Sequence, residues 1–165
     1  MSDDVTGADR AAWAAIALAA YNDEAPDHLL PLPTAAERER FGILAAEAMA
    51  RTIRHNPADQ AVNCRERADE TIGDLIAYVF HLVDGRVTPD QLTRAAEEMR
   101  SPYPIRLDAV CVVAAADVDR VAAMLAALME AAISFGCDVP AMLADSRTCY
   151  EEAKAEEEAN EQTNA

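Results

Sequence analysis

At 165 residues the chain has room for one domain built around one core, and too little for two ordinary domains. Its 30 acidic residues against 14 basic ones give a formal net charge of -16, which repels nucleic-acid phosphates and anionic headgroups, so neither direct nucleic-acid binding nor membrane association is expected. No apolar run reaches the ~18 residues of a membrane span, and Cys64, Cys111, Cys137 and Cys149 form no CxxC pair, which points to idle thiols in a reducing, cytoplasmic setting.

Hydrophobic residues make up 52% of the chain, much of it alanine, while three Phe, four Tyr and one Trp supply the bulk. Alanine suits helices that approach closely, whereas a sheet wants β-branched and aromatic side chains. In chain order, Thr6 and Asp9 form a capping box ahead of Trp13, Ile16, Ala17, Ala20 and Tyr21 at helical spacing, and Asn22-Asp23 closes that run. The proline-rich stretch from Glu24 to Pro33 reads as an ordered loop whose Leu29, Leu30 and Leu32 plug the core. Thr34 and Glu37 repeat the capping box for a second helix, with Phe41, Leu44, Ala45, Ala48 and Thr52 on one face, stopped at Asn56-Pro57.

Asn63 and Glu66 open a third helix with Ala68, Ile72, Leu75, Ile76, Val79, Leu82 and Val83 on its apolar face and Gly85 as its cap. Thr88, Pro89 and Gln91 start a shorter fourth, broken by Ser101-Pro102-Tyr103-Pro104. From Leu107 to Phe135 a seam of Cys111, Ala114, Val118, Val121, Leu125, Leu128 and Ala132 recurs at steps of four and three, which predicts one long helix, or two abutting at Asp117, in preference to a strand over Ile105 to Val113. Asp138 and Pro140 start a last helix with Val139, Leu143 and Tyr150, and the Glu-rich residues from Glu151 onward have no apolar face. The expected fold is all-α: a single bundle of five to six helices with one long helix in the C-terminal half, residues 1–150 forming the domain and 151–165 an acidic, disordered tail. A seam from Leu107 to Phe135 longer than a compact core needs further predicts a homodimer paired through Val121, Leu125 and Leu128.

Glu66, Glu70, Asp74 and His81 fall on one stripe of the third helix, away from its apolar face. Such a stripe is either a solvated surface or a row of oxygen ligands for a hard divalent cation. The chain lacks a Gly-rich phosphate loop, a GxSxG elbow and an HExxH motif, and His28, His55 and His81 lie far apart, so no catalytic residue is assigned. Met124, Met129 and Met142 read as core filler and Cys149 as a packed position on the last helix.

The segment Asp69 to Leu82, DETIGDLIAYVFHL, resembles a helix motif of MazG-like nucleotide pyrophosphohydrolases, an all-α and oligomeric family that uses Glu and Asp from two helices to hold Mg²⁺ against a nucleoside triphosphate. The resemblance implies Glu70 and Asp74 as metal ligands, joined by Glu47 from the preceding helix, ERERFGILAAEAMARTIR, which sits where the family places paired glutamates. Here Leu44 and Ala50 occupy the positions a turn away and leave Glu47 alone. A looser similarity, in the layout of AAWAAIALAAYND and RERFGILAAEAMA, is to short helical proteins of phage and mobile elements, and it implies no activity. Charge and seam together favour an acidic helical adaptor or inhibitor, of phage or mobile-element type, that acts by protein–protein interaction, with a basic protein as the fitting partner. The alternative is a MazG-like, Mg²⁺-dependent nucleoside triphosphate pyrophosphohydrolase, intact or degenerate.

Overall fold

In the structure, a computed structural model, residues 5–25, 33–53, 61–100 and 116–165 are described. They form α1 (Gly7–Glu24), α2 (Ala35–Ile53), α3 (Arg65–Leu82), α4 (Pro89–Arg100), α5 (Ala116–Ser134) and α6 (Val139–Asn164), with no strand among the described residues. The fold is an all-α bundle, and its one long helix of the C-terminal half is α6, with 26 residues. The seam expected to form a long helix from Leu107 is helical over Ala116–Ser134. Its first part, together with Cys111, Leu29, Leu30, Leu32, His28 and His55, lies outside the described residues.

Local chemistry sets the helix ends. The Thr6 hydroxyl accepts from Asp9 N at 3.2 Å while the Asp9 carboxylate accepts from Thr6 N at 2.9 Å, so two N-terminal amides of α1 are satisfied reciprocally. The same reciprocal pair recurs before α2 between Thr34 and Glu37, and before α4 between Thr88 and Gln91. Asp138 caps α6 by accepting from Ala141 N at 3.1 Å. At the far end of α5 the chain turns through Gly136 at φ 77°, which lets Cys137 N reach back to Ala132 O at 3.0 Å and close the helix. α3 begins without the expected cap: Cys64 precedes it and makes no side-chain capping bond.

α5 is the hub. It packs against α2, α4 and α3, while α1 lies on both α2 and α3, and α6 covers the outer side of α3. Most of this central helix is buried, Val121, Leu125 and Leu128 being 1%, 0% and 0% exposed, and it reaches solvent at Ile133 near its end. In the described part of the seam expected to pair two subunits, Val121, Leu125 and Leu128 are covered by helices of the same chain. Its alanines allow a close approach: a Cβ on Gly42 of α2 would stand 2.2 Å from Ala127 O and 2.6 Å from its carbonyl carbon, so the two backbones touch at this crossing. Polar ties also cross the hub: Glu130 of α5 meets Arg38 of α2 at 3.6 Å and Arg100 of α4 at 2.9 Å, and Arg120 of α5 donates to Asn22 of α1 at 2.9 Å.

The structure revises three local expectations. Helix α1 buries Ala14, Ala17 and Tyr21, whereas Ile16 is exposed; a helix shared between α2 and α3 turns a different stripe inward from the one its bulkiest residues suggest. Thr52 is exposed and donates to Ala48 O at 3.1 Å instead of packing. The acidic segment from Glu151, expected to be irregular, continues α6 to Asn164. Ala153 on that segment is buried, and Lys154 and Glu157 find partners on α1 and beyond the end of α3. The tail thus has a docking face of small and charged residues, which hydrophobic periodicity does not detect.

Candidate functional site

Along its outer side α3 carries Glu66, Asp69, Glu70, Gly73, Asp74 and Ala77, and α6 runs beside it with Met142, Asp145, Ser146 and Cys149. Between them lies an open groove of about 370 Å³. Residues four apart on a helix rise by ~6 Å while turning little, so Glu66, Glu70 and Asp74 form a row parallel to the helix axis. Asp69 widens that row and Asp145 stands on the facing helix, giving five carboxylates and no Lys or Arg among the lining residues.

The floor is built by small and apolar groups. Gly73 leaves a gap in the middle of α3, the nearest atom to a Cβ placed there being Met142 Cγ at 3.8 Å. Beside it the Ser146 hydroxyl, 3% exposed, donates to Gly73 O at 2.9 Å and pins α6 to α3. Ala77 and Met142 are buried and complete the apolar base. The result is an acidic trough with a narrow apolar floor, open to solvent along its length.

Further along the same stripe the groove closes. His81, in the last turn of α3, is 8% exposed because α6 passes over it, the Tyr150 ring standing edge-on at 4.8 Å. The Tyr150 hydroxyl donates to Asp84 at 2.6 Å and Lys154 Nζ joins the same carboxylate at 3.0 Å. That hydrogen bond from Tyr150 holds the Asp84 carboxyl below its ordinary range, and Asp84 in turn raises Lys154. Burial, and then the hydrogen bond to Asp84, push Tyr150 up. On the α1 side, Glu157 accepts from Gly7 N and stands 3.9 Å from Arg10. His81 Nδ1 faces this junction, 3.1 Å from where a Gly7 Cβ would be, while Nε2 is buried with no hydrogen-bond partner among the described residues. Burial pushes the imidazole below its ordinary pKa.

The three residues expected to bind metal are separated. Glu70 and Asp74 share the groove. Glu47 does not line it: its carboxylate accepts from Val62 N at 3.3 Å and lies 3.9 Å from Arg51, tying α2 to the segment leading into α3. The reason is topological, since α2 and α3 both pack on α1 and touch each other only lightly. Among the described residues no group of three His, Cys, Asp or Glu side chains is placed to hold a metal ion, and Glu47, Glu70 and Asp74 are all described. Glu47 thus stands apart from Glu70 and Asp74, engaged with Val62 and Arg51.

Two further sequence expectations change. His81, placed on the same stripe as the carboxylates, is covered, and Cys149 is an exposed wall of the groove instead of a packed position. Asp145, Ser146 and Asp69 were not singled out as groove residues. The available signal was the run Met142, Ser146, Cys149, Ala153 and Glu157 on α6, at steps of three and four, which marks a docking face too small and polar to register as an apolar one. No protein-family model matches the chain, and no curated protein or solved structure matches it. Among the described residues no helix is long and apolar enough to cross a membrane.

Proposed function

We propose that this protein is an acidic helical adaptor or inhibitor whose α3–α6 groove receives a basic, amphipathic helical segment of another protein. The observation that carries this reading is the groove itself, with five carboxylates rimming a floor of Gly73, Ala77 and Met142. An incoming helix with Lys or Arg at i and i+4 repeats at the ~6 Å spacing of Glu66, Glu70 and Asp74. Its apolar side would rest where Gly73 leaves space, and the net charge of -16 would speed its approach.

The test is titration with a synthetic helical peptide of Lys and Leu in that pattern, followed by isothermal calorimetry at two salt concentrations. Wild type binds and weakens with salt, as charge pairing near a surface requires. Glu70→Lys together with Asp145→Lys abolishes binding, while Glu158→Lys with Glu161→Lys on the exposed end of α6 leaves most of it. Equal losses from both pairs would reduce the effect to net charge and end the proposal.

Mg²⁺-dependent hydrolysis of a nucleoside triphosphate is the weaker reading. In its favour Glu70 and Asp74 share one groove with Glu66 and Asp69; against it stands the separation of Glu47. Thermal stabilisation by Mg²⁺ that Asp74→Ala removes, accompanied by pyrophosphate release, would reverse the ranking.

A further inference from the structure

The second half of α6 is a helix held against its own electrostatics. From Glu151 on it carries Glu151, Glu152, Glu156, Glu157, Glu158 and Glu161 with Lys154 alone in opposition, and no basic residue occupies its last turn. Negative charge near a helix C-terminus opposes the macrodipole, and the pairs Glu152–Glu156 and Glu157–Glu161 set like charges one turn apart. Beyond Cys149 only Tyr150 and Ala153 of this helix are buried. What keeps the segment helical is therefore its seat on α1 and α3, and that seat has His81 at its centre.

We infer that the C-terminal half of α6 is a pH-sensitive clasp, seated while His81 is neutral and released when His81 takes a proton. Of the charged groups facing the imidazole, Arg10 and Lys154 oppose its protonation, while Glu157 and Asp84 favour it but are already engaged elsewhere, and burial outweighs them. From α1, Arg10 is a like charge, and Gly7 N–H donates to Glu157. From α6, Glu157 is shared with Gly7 and Arg10, Lys154 is a second like charge, and Tyr150 donates away from the ring to Asp84. Beyond α3, Asp84 is occupied by Tyr150 and Lys154.

A proton added to His81 turns buried Nε2 into a charged donor with no acceptor among the described residues. Such a group is costly to keep buried. Lifting α6 is the least disruptive relief, because the segment beyond Tyr150 has the fewest buried contacts and so opens before the core. The sign follows from linkage. The folded-state pKa of His81 lies below the ordinary 6.5, so its stabilising contribution is full above that pH and is lost as the pH falls through the folded-state value. The glutamates keep their charge over most of this window and continue to oppose the helix. None of this depends on what the α3–α6 groove binds.

Native-state hydrogen exchange of the full chain tests the clasp, with rates corrected for the intrinsic effect of pH. Between a slightly alkaline and a mildly acidic buffer, amides of residues 151–164 lose protection several-fold while those of α2 and α5 do not. His81→Gln, which stays neutral, removes the pH dependence. An NMR titration of the wild-type imidazole covers the case in which that variant fails to fold: His81 titrates below the ordinary histidine value. Unchanged protection of 151–164 in wild type, a response that survives in His81→Gln, or an imidazole titrating at or above the ordinary value would each overturn the proposal.

Discussion

Thr71 and Ser146 are both buried hydroxyls, and their surroundings give them opposite energetic signs. Ser146 donates to Gly73 O, whereas Thr71 Oγ1, in a side chain 1% exposed, has no partner among the described residues. Replacing a buried unsatisfied hydroxyl by a methyl of the same shape removes a desolvation cost of about 1 kcal/mol or more. Thr71→Val is expected to raise the denaturant midpoint, and Ser146→Ala to lower it by an amount equivalent to ~1 kcal/mol. A fall for Thr71→Val would mean that its hydroxyl is satisfied. Neither environment is legible in the sequence, because both depend on which face of α3 meets α1 and which meets α6. His81 makes the same point: helical spacing correctly places it in line with Glu66, Glu70 and Asp74, and only the path of α6 makes it buried while they are exposed.

The capping boxes at Thr6, Thr34 and Thr88 and the turns at Gly85 and Gly136 were legible from residue types, since each is a local exchange of hydrogen bonds. Crossings are not local. Gly42 and Gly73 look alike in sequence, each an interior helix glycine, yet a Cβ on Gly42 would meet the backbone of Ala127 at 2.2 Å, and one on Gly73 meets only Met142 at 3.8 Å. Gly42→Ala is expected to destabilise, because neither backbone can retreat without parting α2 from α5, at a cost of order 1–3 kcal/mol. Gly73→Ala is expected to stabilise by up to ~1 kcal/mol from helix propensity while filling part of the groove floor. Denaturant unfolding of the two variants, measured side by side, checks the opposite signs. The sequence reading ended the last helix near Tyr150, because glutamates without an apolar face give no periodic signal. Truncation after Tyr150 removes Ala153, the Lys154–Asp84 pair and Glu157, and exposes His81. It is expected to lower Tm, by roughly 2–4 °C for each kcal/mol lost; an unchanged Tm would show that the segment contributes nothing.

At the scale of the molecule, composition and periodicity were enough for an all-α bundle, since alanine-rich amphipathic segments have few other ways to bury a face. They did not reveal that α5 would lie against α2, α3 and α4, which makes Val121, Leu125 and Leu128, read as a subunit contact, part of this chain's core. They also did not bring Asp145 and Cys149 of α6 opposite Glu66, Glu70 and Asp74 of α3, and that meeting creates the groove. A chain this acidic attracts basic peptides weakly over its whole surface, so what distinguishes the groove is where a peptide binds and not affinity alone. The most direct measurement is amide chemical-shift mapping during titration with the Lys–Leu helical peptide. Saturable shifts concentrated at Asp69, Gly73, Ala77, Asp145 and Cys149, surviving at moderate salt, are predicted; small shifts spread along Glu151–Glu161 and erased by salt would contradict the account.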